Sequence, residues 1–204
     1  SIGLLYSAFT YYLGFVVNSG EYKLMGLAPY GNHGSPRVER FKEAIRKHLL
    51  TIHDDGSVRL DQEYFSYATG LTMVPKDSWE KLFGFGRRES QEKLEQHHCD
   101  LALAIQQVTE EVVLKMARHA KELTGANYLC LAGGVALNCV ANGKLLREKV
   151  FDDLWIQPAA GDAGGALGAA LAAHYLFFGE ARVPVASGDA MRGSYLGPAF
   201  DEYD

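Results

Sequence analysis

Apolar and polar positions follow two different periods along this chain, and the changes of period mark its elements. Residues 1–14 are apolar almost throughout and stop at Gly14, which predicts a short buried helix. Val16-Val17-Asn18-Ser19-Gly20 then turns polar, with Ser19 placed to N-cap a helix from Glu21 to Leu27 that Pro29 and Gly31 must end. Pro36 opens a further helix running to about Leu50, with Val38, Phe41, Ile45 and Leu49 at helical spacing.

Residues 51–98 are less regular. Asp54-Asp55-Gly56 lies between two short extended runs, Leu50 to His53 and Val58 to Leu60, and predicts a hairpin. Trp79 to Phe85 reads as a short helix or packed loop, and residues 84–89 as a mobile or ligand-facing segment. A long helix follows, with Leu101, Ile105, Val108, Val112, Met116 and Leu123 as its core stripe. Glu110, Lys115, Arg118 and Lys121 are left to solvent, and Gly125 is the stop.

Residues 127–179 read strand, helix, strand, helix. Two buried strands each end in a glycine-rich turn: Leu131-Ala132-Gly133-Gly134 and Ala159-Ala160-Gly161-Asp162-Ala163-Gly164-Gly165. The last helix, Asp162 to Phe178, carries Gly164, Gly165 and Gly168, a cost that close approach of a neighbour or ligand would offset. Residues 180–192 have the composition of a linker, and 193–198 begin a further element.

Composition narrows the classes. The chain has 204 residues, 48% hydrophobic and 22% charged, enough for a large globular core. A net charge of -5 argues against nucleic-acid binding, and no apolar run reaches membrane-spanning length. The start, Ser1-Ile-Gly-Leu-Leu-Tyr6, has neither an initiator Met nor a basic leader, as expected of a chain cut from a longer one. Cys99, Cys130 and Cys139 lack zinc or disulfide spacing; Cys130 and Cys139 are expected to pack as small hydrophobes in a reducing, cytoplasmic protein.

The glycine turns are where chemistry is expected. A strand-to-helix turn free of side chains lets a ligand reach backbone N–H groups at the positive end of a helix. Two such turns about 28 residues apart suggest one site built from two βα units. Gly133-Gly134 alone serves a tight turn equally well, and it is neither a dinucleotide fingerprint nor a phosphate loop. Asn138 suits a ribose or base, or equally its own backbone. Asp162 suits a helix N-cap or a metal bridging phosphate oxygens. Glu21 and Lys23, two apart on a short helix, read as a solvent-facing pair or as ligand contacts. The seven histidines form no His-x-x-x-His pair.

Together these stretches resemble one family. Tyr11-Tyr12-Leu13-Gly14-Phe15 followed by Asn18-Ser19-Gly20-Glu21-Tyr22-Lys23-Leu24-Met25-Gly26-Leu27-Ala28-Pro29-Tyr30-Gly31 is similar to the hallmark of the O-carbamoyltransferases, which include nodulation-factor, cephamycin and tobramycin enzymes. Leu131-Ala132-Gly133-Gly134-Val135-Ala136-Leu137-Asn138 and Gln157-Pro158-Ala159-Ala160-Gly161-Asp162-Ala163-Gly164-Gly165 match its two later motifs, and residues 193–198 resemble its junction with a second domain.

The resemblance implies an α/β fold of the ribonuclease H-like, actin-like ATPase type, mostly its C-terminal half, related to the domain that forms threonylcarbamoyladenosine on tRNA. Residues 1–179 would be part of that domain, and 180–204 a linker and the start of a C-terminal domain joining carbamoyl phosphate and ATP into carbamoyl-adenylate. The actin-like domain would pass the carbamoyl group to a substrate hydroxyl of a sugar, antibiotic or lipo-oligosaccharide. The resemblance further implies Gly133, Gly134, Asn138, Glu21, Lys23 and Gly161 as nucleotide neighbours. It makes Asp162 one ligand of a divalent metal, iron or magnesium, with two histidines lying upstream. A chain lacking those histidines and the second domain is expected to be inactive alone. The alternatives are a sugar- or acetate-kinase-like nucleotide half, whose phosphate hairpin is not apparent here, and a non-catalytic nucleotide-sensing module.

Overall fold

The computed structural model describes residues 1–185 and 189–201. Seven α-helices and four short strands appear among them: α1 (Ile2–Tyr12), α2 (Glu21–Leu27), α3 (Pro36–Ala44), β1 (Leu50–Ile52), β2 (Val58–Leu60), α4 (Lys76–Phe83), α5 (Gln96–Thr124), β3 (Tyr128–Leu131), α6 (Cys139–Arg147), β4 (Asp153–Ile156) and α7 (Gly164–Ala172). The class is mixed α/β, as expected. β1 and β2 pair antiparallel with Leu50 opposite Leu60, while β3 and β4 pair parallel with Leu131 opposite Ile156. The hairpin is therefore present, and so is the strand–helix–strand–helix order of the last third.

α5 is the centre of the molecule. Residues 100–106 and 108–110 are all buried, so this half of the helix has no solvent face and must be surrounded. α1, α2, α3 and the turn Ala28–Tyr30 surround it. Beyond Val112 the helix emerges, and a smaller cluster of Leu114, Ala117, Leu145 and Phe151 joins it to α6 and the parallel strands. Met116 and Leu123 were expected in the core stripe, but they are exposed. Their side chains lie on the exposed side of the helix, while Leu114 and Ala117 pack with Leu145 of α6.

An aromatic group packs one side of α1. Trp79, fully buried, lies 4.8 Å from Phe9, 5.1 Å from Tyr12 and 5.4 Å from Phe83 between ring centroids. Its indole N–H donates to the Tyr64 carbonyl at 2.7 Å. Residues 84–89 are not the loose segment the sequence suggested. Phe85 packs on Tyr12 and Phe41, and its carbonyl accepts the Tyr12 hydroxyl. Arg87 Nε donates to Tyr11 O, the Arg88 N–H to Tyr12 O, and Arg88 Nε to Leu13 O. Helix C-termini leave carbonyls unpaired and carry partial negative charge, so two arginines at this end satisfy both needs.

The strands at the glycine turns also differ from expectation. They are half-exposed, with Leu129, Leu131, Leu154 and Ile156 inward and Tyr128, Cys130, Asp153 and Trp155 outward. Two strands cannot cover both of their faces, so alternation replaces full burial. Cys130 and Cys139 are accordingly exposed rather than packed. α7 buries no residue, and among its glycines only Gly164 sits where a side chain is excluded, since a Cβ there would lie 2.2 Å from Ala159 O. The expected linker and second-domain start fall partly on residues 186–188 and 202–204, outside the described residues; Arg192–Ser194 forms a short turn.

Two consequences can be measured. Trp79→Ala removes a fully buried ring and its hydrogen bond, so guanidinium unfolding should show a loss of about 3–5 kcal/mol. The second concerns acid. His98 Nδ1 accepts the Glu95 N–H at 2.9 Å, closing the capping box of α5, and burial aided by His97 and Arg88 pushes its pKa down to about 4. The unfolded chain takes up that proton near pH ~6.5, so between there and pH 4 protons are gained on unfolding and stability rises with pH. Stability should fall on acidification through this window by up to ~1.4 kcal/mol per pH unit. His98→Gln, which keeps an acceptor at the same capping position, should flatten that slope.

Candidate functional site

The two glycine turns meet through their backbones. β3 ends at Leu131, and Gly133 follows at φ +96 and ψ 159, a conformation that side chains disfavour strongly. The twist aims its N–H at Ala160 O, 2.7 Å away in the second turn. One backbone hydrogen bond thus joins the Gly133-Gly134 turn to the Ala160-Gly161-Asp162 turn at the C-terminal edge of the parallel pair. In parallel α/β sheets ligands bind outside this edge. Gly134 begins the short turn Gly134–Leu137 and is exposed, with open space where a side chain would stand.

In the second turn, Gly161 is half-buried and its carbonyl accepts the Gly164 N–H at 3.0 Å. Asp162 is exposed, and its carbonyl accepts the Gly165 N–H. The carboxylate does not cap α7, whose N-cap residue is Ala163 and which has no side-chain cap. Of the two roles open to it in the sequence, the capping one is absent. Among the described residues no group of three or more His, Cys, Asp or Glu side chains could hold a metal ion.

Asn138 is buried, and its amide is hydrogen-bonded at both its oxygen and its nitrogen. Its Oδ1 accepts from the Ala141 N–H, capping α6, and from Gln106 Nε2, while its Nδ2 donates back to Gln106 Oε1 at 3.0 Å. The two amides therefore pair reciprocally between α5 and the end of the first glycine turn. Gln106 also takes a bond from the Tyr6 hydroxyl at 2.9 Å and gives one to Glu110, whose other oxygen pairs with Lys144 at 3.1 Å. Glu110, expected in solvent, is buried because Gln106 and Lys144 satisfy it. Burial together with the charges of Glu110 and Glu21 holds the Tyr6 hydroxyl protonated well above the ordinary tyrosine range.

The Glu21 segment is tied to the same region. Ser19 is not the N-cap of α2; Gly20 occupies that place, without a side-chain cap. The Glu21 carboxylate does the work instead, accepting from the Asn18 and Gly20 N–H groups at 3.0 and 3.2 Å and from the Ser7 hydroxyl at 2.7 Å. An acid at a helix start suits the dipole, and this one folds the preceding turn around itself. Lys23 is exposed beside the Tyr22 ring. Further along α2, Met25 Sδ lies 3.9 Å from Cys139 Sγ at the start of α6.

The second and third stretches touch at Gly133 and Ala160, and the first reaches α6, which follows the second, at Met25 and Cys139. No hydrogen bond or ion pair joins Glu21 or Lys23 to Asp162 among the described residues. Sequence reasoning missed Tyr6, Gln106 and Lys144. The available signal was Gln106 and Glu110, one turn apart on a stretch of helix otherwise too apolar to face water.

Residues 1–171 match the family model described as carbamoyltransferase N-terminus. An uncharacterized protein of Synechocystis sp. is 56% identical over 200 residues, covering 98% of this chain and 31% of that protein. The nodulation protein NolNO of Sinorhizobium fredii is 41% identical over 173 residues, covering 84% of this chain and 22% of that protein. NolO of Bradyrhizobium diazoefficiens is 39% identical over 171 residues, covering 84% and 28%. The chain therefore spans less than a third of the length of these relatives. With the match extending from Ser1 through all three stretches, the chain belongs to the carbamoyltransferase N-terminus family.

Proposed function

We propose that the protein to which this chain belongs transfers a carbamoyl group, activated by ATP as carbamoyl-adenylate, to the hydroxyl of a small molecule. The observation that carries this reading is the bond from Gly133 N–H to Ala160 O, which joins two glycine-rich turns into one backbone surface beside Asp162. Within a carbamoyltransferase domain, such a surface suits the phosphate and adenosine of a nucleotide. The overall frame is proposed to be actin-like, with 1–179 belonging to it and 180–204 leading towards a further domain.

The residues of this chain have separable tasks in that reading. Gly133, Gly134 and Gly161 supply close backbone approach. Asn138 holds the first turn in place through Gln106 rather than reaching the ligand itself, because its amide is already paired. Glu21 shapes the loop preceding α2, and exposed Lys23 supplies a cation to a phosphate. Asp162 supplies one carboxylate to a divalent cation whose remaining ligands would come from outside this chain. Such an ion would lend Lewis-acid stabilisation to phosphate charge.

Full-length protein incubated with ATP, carbamoyl phosphate and a panel of alcohols should give O-carbamoylated product by mass spectrometry, and Asp162→Ala should reduce it by more than about a hundredfold. Product formation undiminished by that change would remove the proposed role of Asp162. Gln106→Leu should weaken ATP binding in the full-length protein and lower its stability by about 1–3 kcal/mol, because the Asn138 Nδ2 group is left buried and unpaired. Isothermal titration and denaturant melts measure the two effects separately.

A further inference from the structure

Among the described residues, α7 is the helix that buries nothing. No residue of Gly164–Ala172 is buried, and none of the π-helical turn Ala173–Phe177 that continues it. Leu176 and Phe177 are each 82% exposed and Phe178 68%, with the two phenyl rings edge to face at 5.1 Å. These three follow one another along the chain, so they point to different sides of the helix. From Ala163 to Phe178 there is no Asp, Glu, Lys or Arg. A helix that is apolar all round belongs in an interior. Gly165 and Gly168 are two places where a Cβ would meet nothing, open to close approach by another backbone. The parallel pair repeats the pattern: Tyr128 and Trp155 stand exposed on its outer face, although parallel strands are as a rule covered on both faces.

Sequence and size narrow what covers this helix. A helix lying on a membrane keeps a polar face, commonly basic, and this one offers His174 and Tyr175 only. Residues 164–177 are also too few for the ~20 that a membrane span needs. A two-fold contact with a second copy covers one face and leaves the others wet. Enclosure from several sides is what the interior of a domain provides. The relatives matched above have the length for it. This chain spans less than a third of each, and the family match runs to residue 171, through nearly all of α7. A cover tethered in the same polypeptide also acts at high effective concentration.

We propose that α7 and the turn through Phe178 are enclosed by another segment of the same polypeptide, lying outside residues 1–204 and presenting an uncharged, apolar surface. The enclosure bears on the glycine turns, because α7 starts inside the second one. Gly164 and Gly165 donate to Gly161 O and Asp162 O, and a Cβ on Gly164 would strike Ala159 O. A cover that fixes α7 therefore fixes the backbone around Asp162, whatever reaction the protein performs. The test uses full-length protein, with hydrogen–deuterium exchange and with photo-leucine, a near-isostere of leucine that reaches position 176 without a designed substitution. Peptides covering 164–178 should exchange at least about a hundredfold more slowly than an unstructured reference, unchanged by dilution or by phosphatidylcholine vesicles. Cross-links from Leu176 should land outside residues 1–204, and in a mixture of isotope-labelled and unlabelled protein they should never join the two. Leu176→Asp should lower the melting midpoint by several degrees, whereas on an open surface it would be neutral. Rapid exchange, protection lost on dilution or gained only with vesicles, cross-links between copies, or a midpoint unmoved by Leu176→Asp overturns the proposal.

Discussion

Half of a 29-residue helix without a solvent face is the constraint around which this chain is organised. Such a helix exposes no stripe that could be left to water, so other elements must close around it on every side. α1, α2 and α3 do so, and their order along the chain follows from that need. The same closure brings Tyr6 from α1 and Asn138 from the first glycine turn to one polar residue, Gln106. Buried polar groups are tolerated only when paired, and here each partner fixes a different element. Gln106 is therefore the residue of α5 that sets where the glycine turn stands.

Much of the fold was legible because local chemistry and tertiary packing agree. Ser35 caps α3 ahead of Pro36, Gly125 ends α5 in the left-handed region, and Asp54-Asp55-Gly56 turns the hairpin. The expectations that failed concern which face an element presents. Met116 and Leu123 fit a helical period perfectly well, but period says nothing about where covering elements stop. Glu110 looked solvated because glutamate usually is, and the pairing of its two oxygens with Gln106 and with Lys144 from a distant helix makes its burial tolerable. Ser19 is a good capping residue beside a better solution, since Glu21 reaches back to two N–H groups at once.

The site divides in the same way. The glycines were readable as a pair of turns, because a chain must leave its strand and enter a helix with no side chain in the way. Their mutual hydrogen bond was not readable, since it depends on the parallel pairing of β3 with β4 across a separation of 25 residues. The absence of a cap by Asp162 was equally hidden, as an aspartate before a glycine-rich helix fits both roles by spacing. The reciprocal amide pair explains why Asn138 is placed where it is, a structural reason that its sequence position concealed.

The two parallel strands carry a consequence for how this chain behaves among other chains. Among the described residues each strand is paired along one edge only, and the outward side bears Tyr128, Cys130 and Trp155. An open edge offers N–H and C=O groups in the repeat that any extended segment can match, whatever its side chains. Among the described residues no further strand pairs with these edges. The geometry that leaves the ends of the strands available to a ligand also leaves their flanks available to a neighbour.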